Sequence, residues 1–170
     1  MIPPDTRDRL EAALRPVVPF AVSMLAVFLA CLPYRIPALP TVMPWLPLIA
    51  VYYWTLARPD LLPAGGAFTV GLFYDLLSGG PLGLMALLAL ATHRLVLGQR
   101  RYLIGRPFMI GWGGFAVIAA AATLAGWLTA GVYYGTLPAV GPVLMRFVLT
   151  VATYPALAWC FGRLRPAPVR

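Results

Sequence analysis

At 170 residues, with 61% hydrophobic and 11% charged positions, the chain falls outside the composition of water-soluble domains and reads as one integral membrane domain. Its net charge of +8 does not point to nucleic acid, because the basic residues, all of them arginine, are distributed between apolar runs and form no single patch. Two cysteines, Cys31 and Cys160, exclude a disulfide framework; the spans below place them near opposite faces of the bilayer, so both are expected as free thiols.

Taken in order, residues 1–15 form a cytoplasmic tail with Arg7, Glu11 and Arg15 at helical spacing, either a short interfacial helix or a solvated segment. The first span is expected over 16–33, close to the shortest stretch that crosses a hydrocarbon core. Arginines before it and Phe28-Leu-Ala-Cys31 inside it faintly suggest a cleaved leader. The sequence beyond stays hydrophobic, so a retained span is the preferred reading. Pro33, Pro37 and Pro40 make the next connection extended, and a second span follows over 42–57. Pro44 and Pro47 lie in its first turns, where the missing N–H is harmless, and Tyr52, Tyr53 and Trp54 suit an interfacial belt.

Arg58-Pro59-Asp60 marks a turn before a third span over 61–78, where Ala67 and Gly71 offer a smooth strip at four-residue spacing. Ser78-Gly79-Gly80-Pro81 is a tight hairpin into a fourth span over 81–97, with His93 and Arg94 near its far end and a basic loop carrying Arg100, Arg101 and Arg106 after it. The fifth span covers 108–130, with Gly114, Ala122, Gly126 and Ala130 on one ridge. The sixth covers 138–161 with Arg146 inside it, and 162–170 is a second cytoplasmic tail. With the amino terminus inside, every loop arginine except Arg35 falls on the cytoplasmic side, as the positive-inside rule requires. The fold class is therefore all-α, a polytopic bundle of six transmembrane helices with both termini cytoplasmic.

Asp75 and Arg146 are the charges placed well inside spans. A carboxylate at membrane depth costs about 2.5–3.5 kcal/mol at the bilayer centre and less toward an interface, so Asp75 is the leading functional candidate. Two readings are open: an ion pair between Asp75 and Arg146 that ties the third span to the sixth, or Asp75 capping the Gly-Gly turn while Arg146 reaches outward to water or lipid phosphate. His93, alone at a helix end, is expected to meet headgroups or a C-terminal dipole. One His, two separated Cys and one intramembrane carboxylate supply neither a zinc site nor a carboxylate dyad. There is no nucleophilic triad and no phosphate-binding loop, so no cofactor and no catalysis are expected.

The run Gly71-Leu72-x-x-Asp75-Leu76-Leu77-x-Gly79-x-Pro81-Leu82-Gly83, with Pro44, Pro47, Tyr52, Tyr53 and Pro59 upstream, resembles the MreD family of rod shape-determining membrane proteins. The rest of the chain is similar only in length and hydropathy. The resemblance implies a non-catalytic scaffold in the bacterial inner membrane that binds the bitopic protein MreC. It also implies a link between the actin-like MreB and the wall-elongation synthases, RodA and its penicillin-binding protein. Gly71, Asp75, Gly79, Pro81, Gly83 and Arg146 are then assembly candidates, and Arg94, Arg100, Arg101 and Arg106 candidates for contact with anionic lipid or a cytoplasmic partner. Six short spans with an outward hairpin also resemble the substrate-binding subunits of energy-coupling-factor transporters. That likeness makes a vitamin-type transport subunit the alternative, although the outer polar groups are few.

Overall fold

The structure, a computed structural model, describes residues 17–32 and 42–163; the two tails and the connection carrying Arg35 lie outside the described residues. Within them are six helices and no strand: α1 (Val17–Cys31), α2 (Leu46–Ala57), α3 (Ala64–Ser78), α4 (Leu84–Leu103), α5 (Phe108–Tyr134) and α6 (Val140–Arg163). Glycine sets several ends: Gly79 and Gly135 close α3 and α5 at φ 68° and 71°, and Gly83 opens α4 at φ 91°.

The bundle is built around α2, which packs against each of the other five helices. Ten of its twelve residues are buried, including the full widths of Tyr52 and Trp54. At about 1.5 Å per residue α2 is only about 18 Å long; its amino end is buried and its carboxyl end half-buried, and the backbone groups at both need partners. At the amino end, Leu46 N–H donates to Pro44 O, Pro47 has no N–H to satisfy, and the Trp45 amide donates to Thr150 Oγ1 of α6 at 3.1 Å. At the carboxyl end, Arg100 Nε of α4 donates to Leu56 O at 3.1 Å. An aromatic cluster of Tyr52, Phe115 and Tyr154 joins α2 to α5 and α6, with Phe115 and Tyr154 stacked at 4.6 Å.

Two helices, α5 and α6, are long and apolar enough to cross a membrane, and most of their surface faces outward. Val117, Leu124, Val132, Leu144 and Val148 are all exposed. Such a helix in water would present a continuous apolar face far beyond what monomeric soluble proteins tolerate; against hydrocarbon the same face needs no cover. Pro155 sits inside α6 and removes one ladder hydrogen bond. The carbonyl it releases, Val151 O, accepts instead from Trp112 Nε1 of α5 at 3.0 Å.

Helix limits depart from the sequence reading in two places that matter. The fourth helix does not stop near Leu97: it continues to Leu103, because Gly98 alone does not break a run of good helix formers, and the chain turns only at Gly105, φ 75°. Arg94, Arg100 and Arg101 therefore stand on a helix, and the loop after it is four residues long, with Arg106. His93 is not at a headgroup surface. It is buried and shares a 2.9 Å hydrogen bond with Thr55 Oγ1, linking the middle of α4 to the last turn of α2.

Candidate functional site

Asp75 is buried at the end of α3, one turn before the hairpin. Its Oδ2 accepts from the Gly83 amide at 3.0 Å and the Ala86 amide at 3.1 Å, and its Oδ1 accepts from the Met85 amide at 3.0 Å. These are orphan donors of the first turn of α4. The fourth, Leu84 N–H, is satisfied by Pro81 O, and Leu87 N–H begins the regular helical ladder on Gly83 O. A carboxylate thus caps a helix it does not belong to, where the helix dipole favours negative charge. Hydrogen bonds to a charged acceptor each contribute about 1.5–3 kcal/mol, which together offset the cost of placing the carboxylate at depth.

The remaining motif positions make this reach feasible. Gly71 lies one turn before Asp75 on the same face of α3. A Cβ there would stand 2.6 Å from both Ala86 Cα and Met85 O, so only glycine lets the two backbones approach closely enough for the carboxylate to touch the amides. Gly79 ends α3 in the left-handed conformation and Gly83 starts α4 in it. Between them Pro81 contributes its carbonyl to the new helix. Of the two readings of Asp75, capping is the one its hydrogen bonds display. The cap lies across the turn on α4, whose donors sequence order alone does not indicate.

Arg146 is brought to the same region. Asp75 and Arg146 both line a cleft of ≈ 660 Å³ at the hairpin end of the bundle. Its walls are α3 and the start of α4 on one side, α5 and the start of α6 on the other, with Trp45 and Met85 among its lining residues. Trp45 packs over Gly126, where an added Cβ would stand 3.0 Å from the indole. Trp127 Nε1 donates to Pro138 O at 2.9 Å and fixes the turn between α5 and α6. The lining is chiefly apolar, including Leu77, Leu84, Leu88 and Val143.

The four arginine candidates on and after α4 separate by environment. Arg100 is partly buried and engaged at the end of α2, whereas Arg94, Arg101 and Arg106 are exposed. Arg101 lies over the Tyr102 ring at 4.6 Å. Arg100 and Arg106 border a second cavity of ≈ 720 Å³, with Tyr53, Tyr154 and Trp159. Nothing in the residue types singled out Thr55, Thr150 or Trp112. Their roles come from partners 38 to 105 positions away, a separation no local pattern encodes.

Comparison with known proteins gives these features a setting. The family model described as rod shape-determining protein MreD matches residues 11–161. Rod shape-determining protein MreD of Haemophilus influenzae is 36% identical over 66 residues, covering 39% of this chain and 35% of that protein. The matched stretch is therefore about a third of that relative's length. No solved structure matches. With the family match running over most of its length and its long helices presenting apolar surface outward, this chain is a membrane protein that belongs to the MreD family.

Proposed function

We propose that this protein is a non-catalytic scaffold of the cell-elongation machinery in the bacterial inner membrane, where it maintains rod shape by holding partners of lateral wall synthesis together. The observation that carries this reading is the family match over residues 11–161. The name of the Haemophilus influenzae relative, a rod shape-determining protein, agrees with it. A bundle whose conspicuous charge, Asp75, is spent on a helix cap is suited to holding shape.

In this proposal all six helices cross or insert into the bilayer, in the arrangement of energy-coupling-factor substrate-binding subunits. Both termini and the Arg94–Arg106 end face the cytoplasm, and the hairpin with its cleft faces outward. The proposed partner is a bitopic MreC-like protein bound through its membrane helix, with MreB and the synthases RodA and its penicillin-binding protein further along the same assembly. The exposed Arg94, Arg101 and Arg106 would meet anionic headgroups of the inner leaflet.

Depletion of the protein in its rod-shaped host, with cell width followed by microscopy and the MreC-like partner sought by co-purification in mild detergent, tests the proposal. Rounding on depletion, reversal on re-expression and recovery of the partner are the expected results. Rods of unchanged width after full depletion, or failure to recover the partner from functional protein, would overturn it. The second reading, a vitamin-type transport subunit, is favoured by one feature, the outward cleft. It predicts a rise in thermal midpoint with a member of a soluble vitamin panel.

A further inference from the structure

The second cavity, ≈ 720 Å³, lies at the arginine-bearing end, between the carboxyl ends of α2, α4 and α6 and the start of α5, and falls within the range of about 300–1,000 Å³ typical of small-molecule sites. Its charge is one-sided. Arg100 and Arg106 line it, and no carboxylate does. Among the described residues the carboxylates are Asp75, spent on the α4 cap, and Asp60, which is paired with Arg58 at 3.1 Å and drawn least by Arg100; neither is in the lining. The remaining acidic residues, Asp5, Asp8 and Glu11, are matched in number by Arg7, Arg9 and Arg15 of the same segment.

The two arginines differ in what they already do. Arg100 gives its Nε to Leu56 O at 3.1 Å, and its two terminal nitrogens bond to no described residue. The α2 carbonyl that would oppose an anion is therefore the one Arg100 already holds. Arg106 is exposed and has neither hydrogen bond nor ion pair among the described residues. Arg163 lies over the ring of Trp159, another lining residue, at 4.4 Å and adds a third positive charge beside the cavity. Phe108, at the amino end of α5, also lines it, and no side chain caps that end, so the helix dipole contributes in the same direction.

Much of the remaining lining is aromatic or aliphatic and opens on the outer surface of the bundle. Ile104, Phe108 and Trp159 are 51%, 52% and 65% exposed. Phe108 is stacked on Tyr154 at 6.0 Å, which fixes that wall. A soluble anion would satisfy the cations and leave the apolar wall bare, whereas an amphiphile with a phosphate head covers both.

We infer that this cavity is a discrete site for one anionic phospholipid of the inner leaflet, its phosphate between Arg106 and the terminal nitrogens of Arg100 and an acyl chain over Ile104, Phe108 and Trp159. Guanidinium groups can meet two phosphate oxygens at once. The site differs from a diffuse attraction of arginines for headgroups, because it assigns Arg100 and Arg106 to one ligand and leaves out Arg94 and Arg101, which stand outside the lining. The inference takes from the proposed topology only which leaflet this end faces, and its test involves neither cell shape nor a protein partner.

The full chain, purified in a neutral detergent and delipidated, is titrated with phosphatidylglycerol, with phosphatidylcholine and with inorganic phosphate, and thermal midpoint and native mass spectra are recorded. Phosphatidylglycerol is expected to raise the midpoint by several degrees and to add one saturable lipid. Phosphatidylcholine should bind at least tenfold more weakly, and inorganic phosphate should leave the midpoint unchanged. Arg106→Gln has no intramolecular bond to lose, so it should keep the lipid-free midpoint and weaken phosphatidylglycerol binding at least tenfold. Arg94→Gln and Arg101→Gln make the same charge change outside the cavity and should alter binding less than twofold. Trp159→Ala, at an exposed position, should weaken the lipid by removing part of its apolar wall. Equal loss in all three arginine variants would reveal a diffuse belt and overturn the inference. Equal binding of the two lipids, undiminished binding by Arg106→Gln, or a full response to inorganic phosphate alone would overturn it as well.

Discussion

Asp75→Asn separates the charge of the cap from its shape. Asparagine can keep one oxygen toward the Gly83 and Ala86 amides, but its NH₂ then faces the Met85 N–H, donor against donor, where Asp75 Oδ1 now accepts at 3.0 Å. One buried amide is left unsatisfied, and the expected loss is about 1–3 kcal/mol, read as a lowered thermal midpoint in detergent. Gly71→Ala should act on the same contact from the other side. Its Cβ, 2.6 Å from the α4 backbone, forces the helices apart and draws the amides away from the carboxylate, at a cost of about 1–3 kcal/mol for overpacking plus part of the cap. Because each change damages one junction, the double variant should lose clearly less than the sum, and strict additivity would show that Gly71 and Asp75 act separately. At the loop, the Asp60 carboxyl is held below its ordinary range chiefly by the hydrogen bond from Arg58. That contribution is complete at neutral pH and is lost as acid protonates Asp60 below the usual carboxylate value. As an exposed pair it is worth under about 1 kcal/mol, so Asp60→Asn should leave the thermal midpoint at pH 7 nearly unmoved. Asp75 is legible in the sequence as a carboxylate in an apolar run, and the glycines as turn residues. What the sequence does not reveal is the acceptor's target, because backbone amides carry no residue signature.

Helix α6 contains a proline that its hydropathy conceals, and the neighbouring helix compensates for it. Pro155 leaves Val151 O without its intrahelical donor, and Trp112 of α5 supplies one at 3.0 Å. Trp112→Phe keeps the ring and removes the donor, with an expected loss of about 1–2 kcal/mol. Pro155→Ala restores an N–H to the ladder, so in that background Trp112→Phe should cost distinctly less; an equal cost in both backgrounds would detach the indole from the proline. The same logic governs α2, whose ends are met by Thr150 and Arg100 from two other helices. Arg100→Gln should lower the thermal midpoint more than Arg101→Gln, since Arg101 is exposed and its hydrogen bond and ring contact both go to the adjacent, exposed Tyr102. Hydropathy locates these elements because each is a continuous apolar stretch between breakers. It fails for Arg100 and His93 because a charged or polar residue near the end of a run reads as loop or headgroup contact. Here the short α2 creates a half-buried carboxyl end and a buried hydroxyl at Thr55 that need those very groups.

The molecule as a whole is polarised along the helix axes. One end carries the hairpin, the cleft and the carboxyl ends of α1, α3 and α5; the other carries Arg58, Arg94, Arg100, Arg101, Arg106 and Arg163. Such a distribution has a definite consequence in a bilayer, since arginine-bearing turns are retained on the cytoplasmic side. The bundle should therefore sit with its hairpin outward. Single cysteines at the two ends, in a background with Cys31 and Cys160 replaced by serine, report this without disturbing the core. Gly80→Cys marks the hairpin and Asp60→Cys the turn between α2 and α3, both among short connections with no buried role for the replaced side chain. A membrane-impermeant maleimide applied to intact spheroplasts should label Gly80→Cys and leave Asp60→Cys unreacted until the membrane is opened. The reverse pattern would send the arginine-rich turns outward. Labelling of both sites in sealed membranes would mean that the helices between them do not separate two compartments, and the cleft, the cap and the cytoplasmic arginines would then need a different setting.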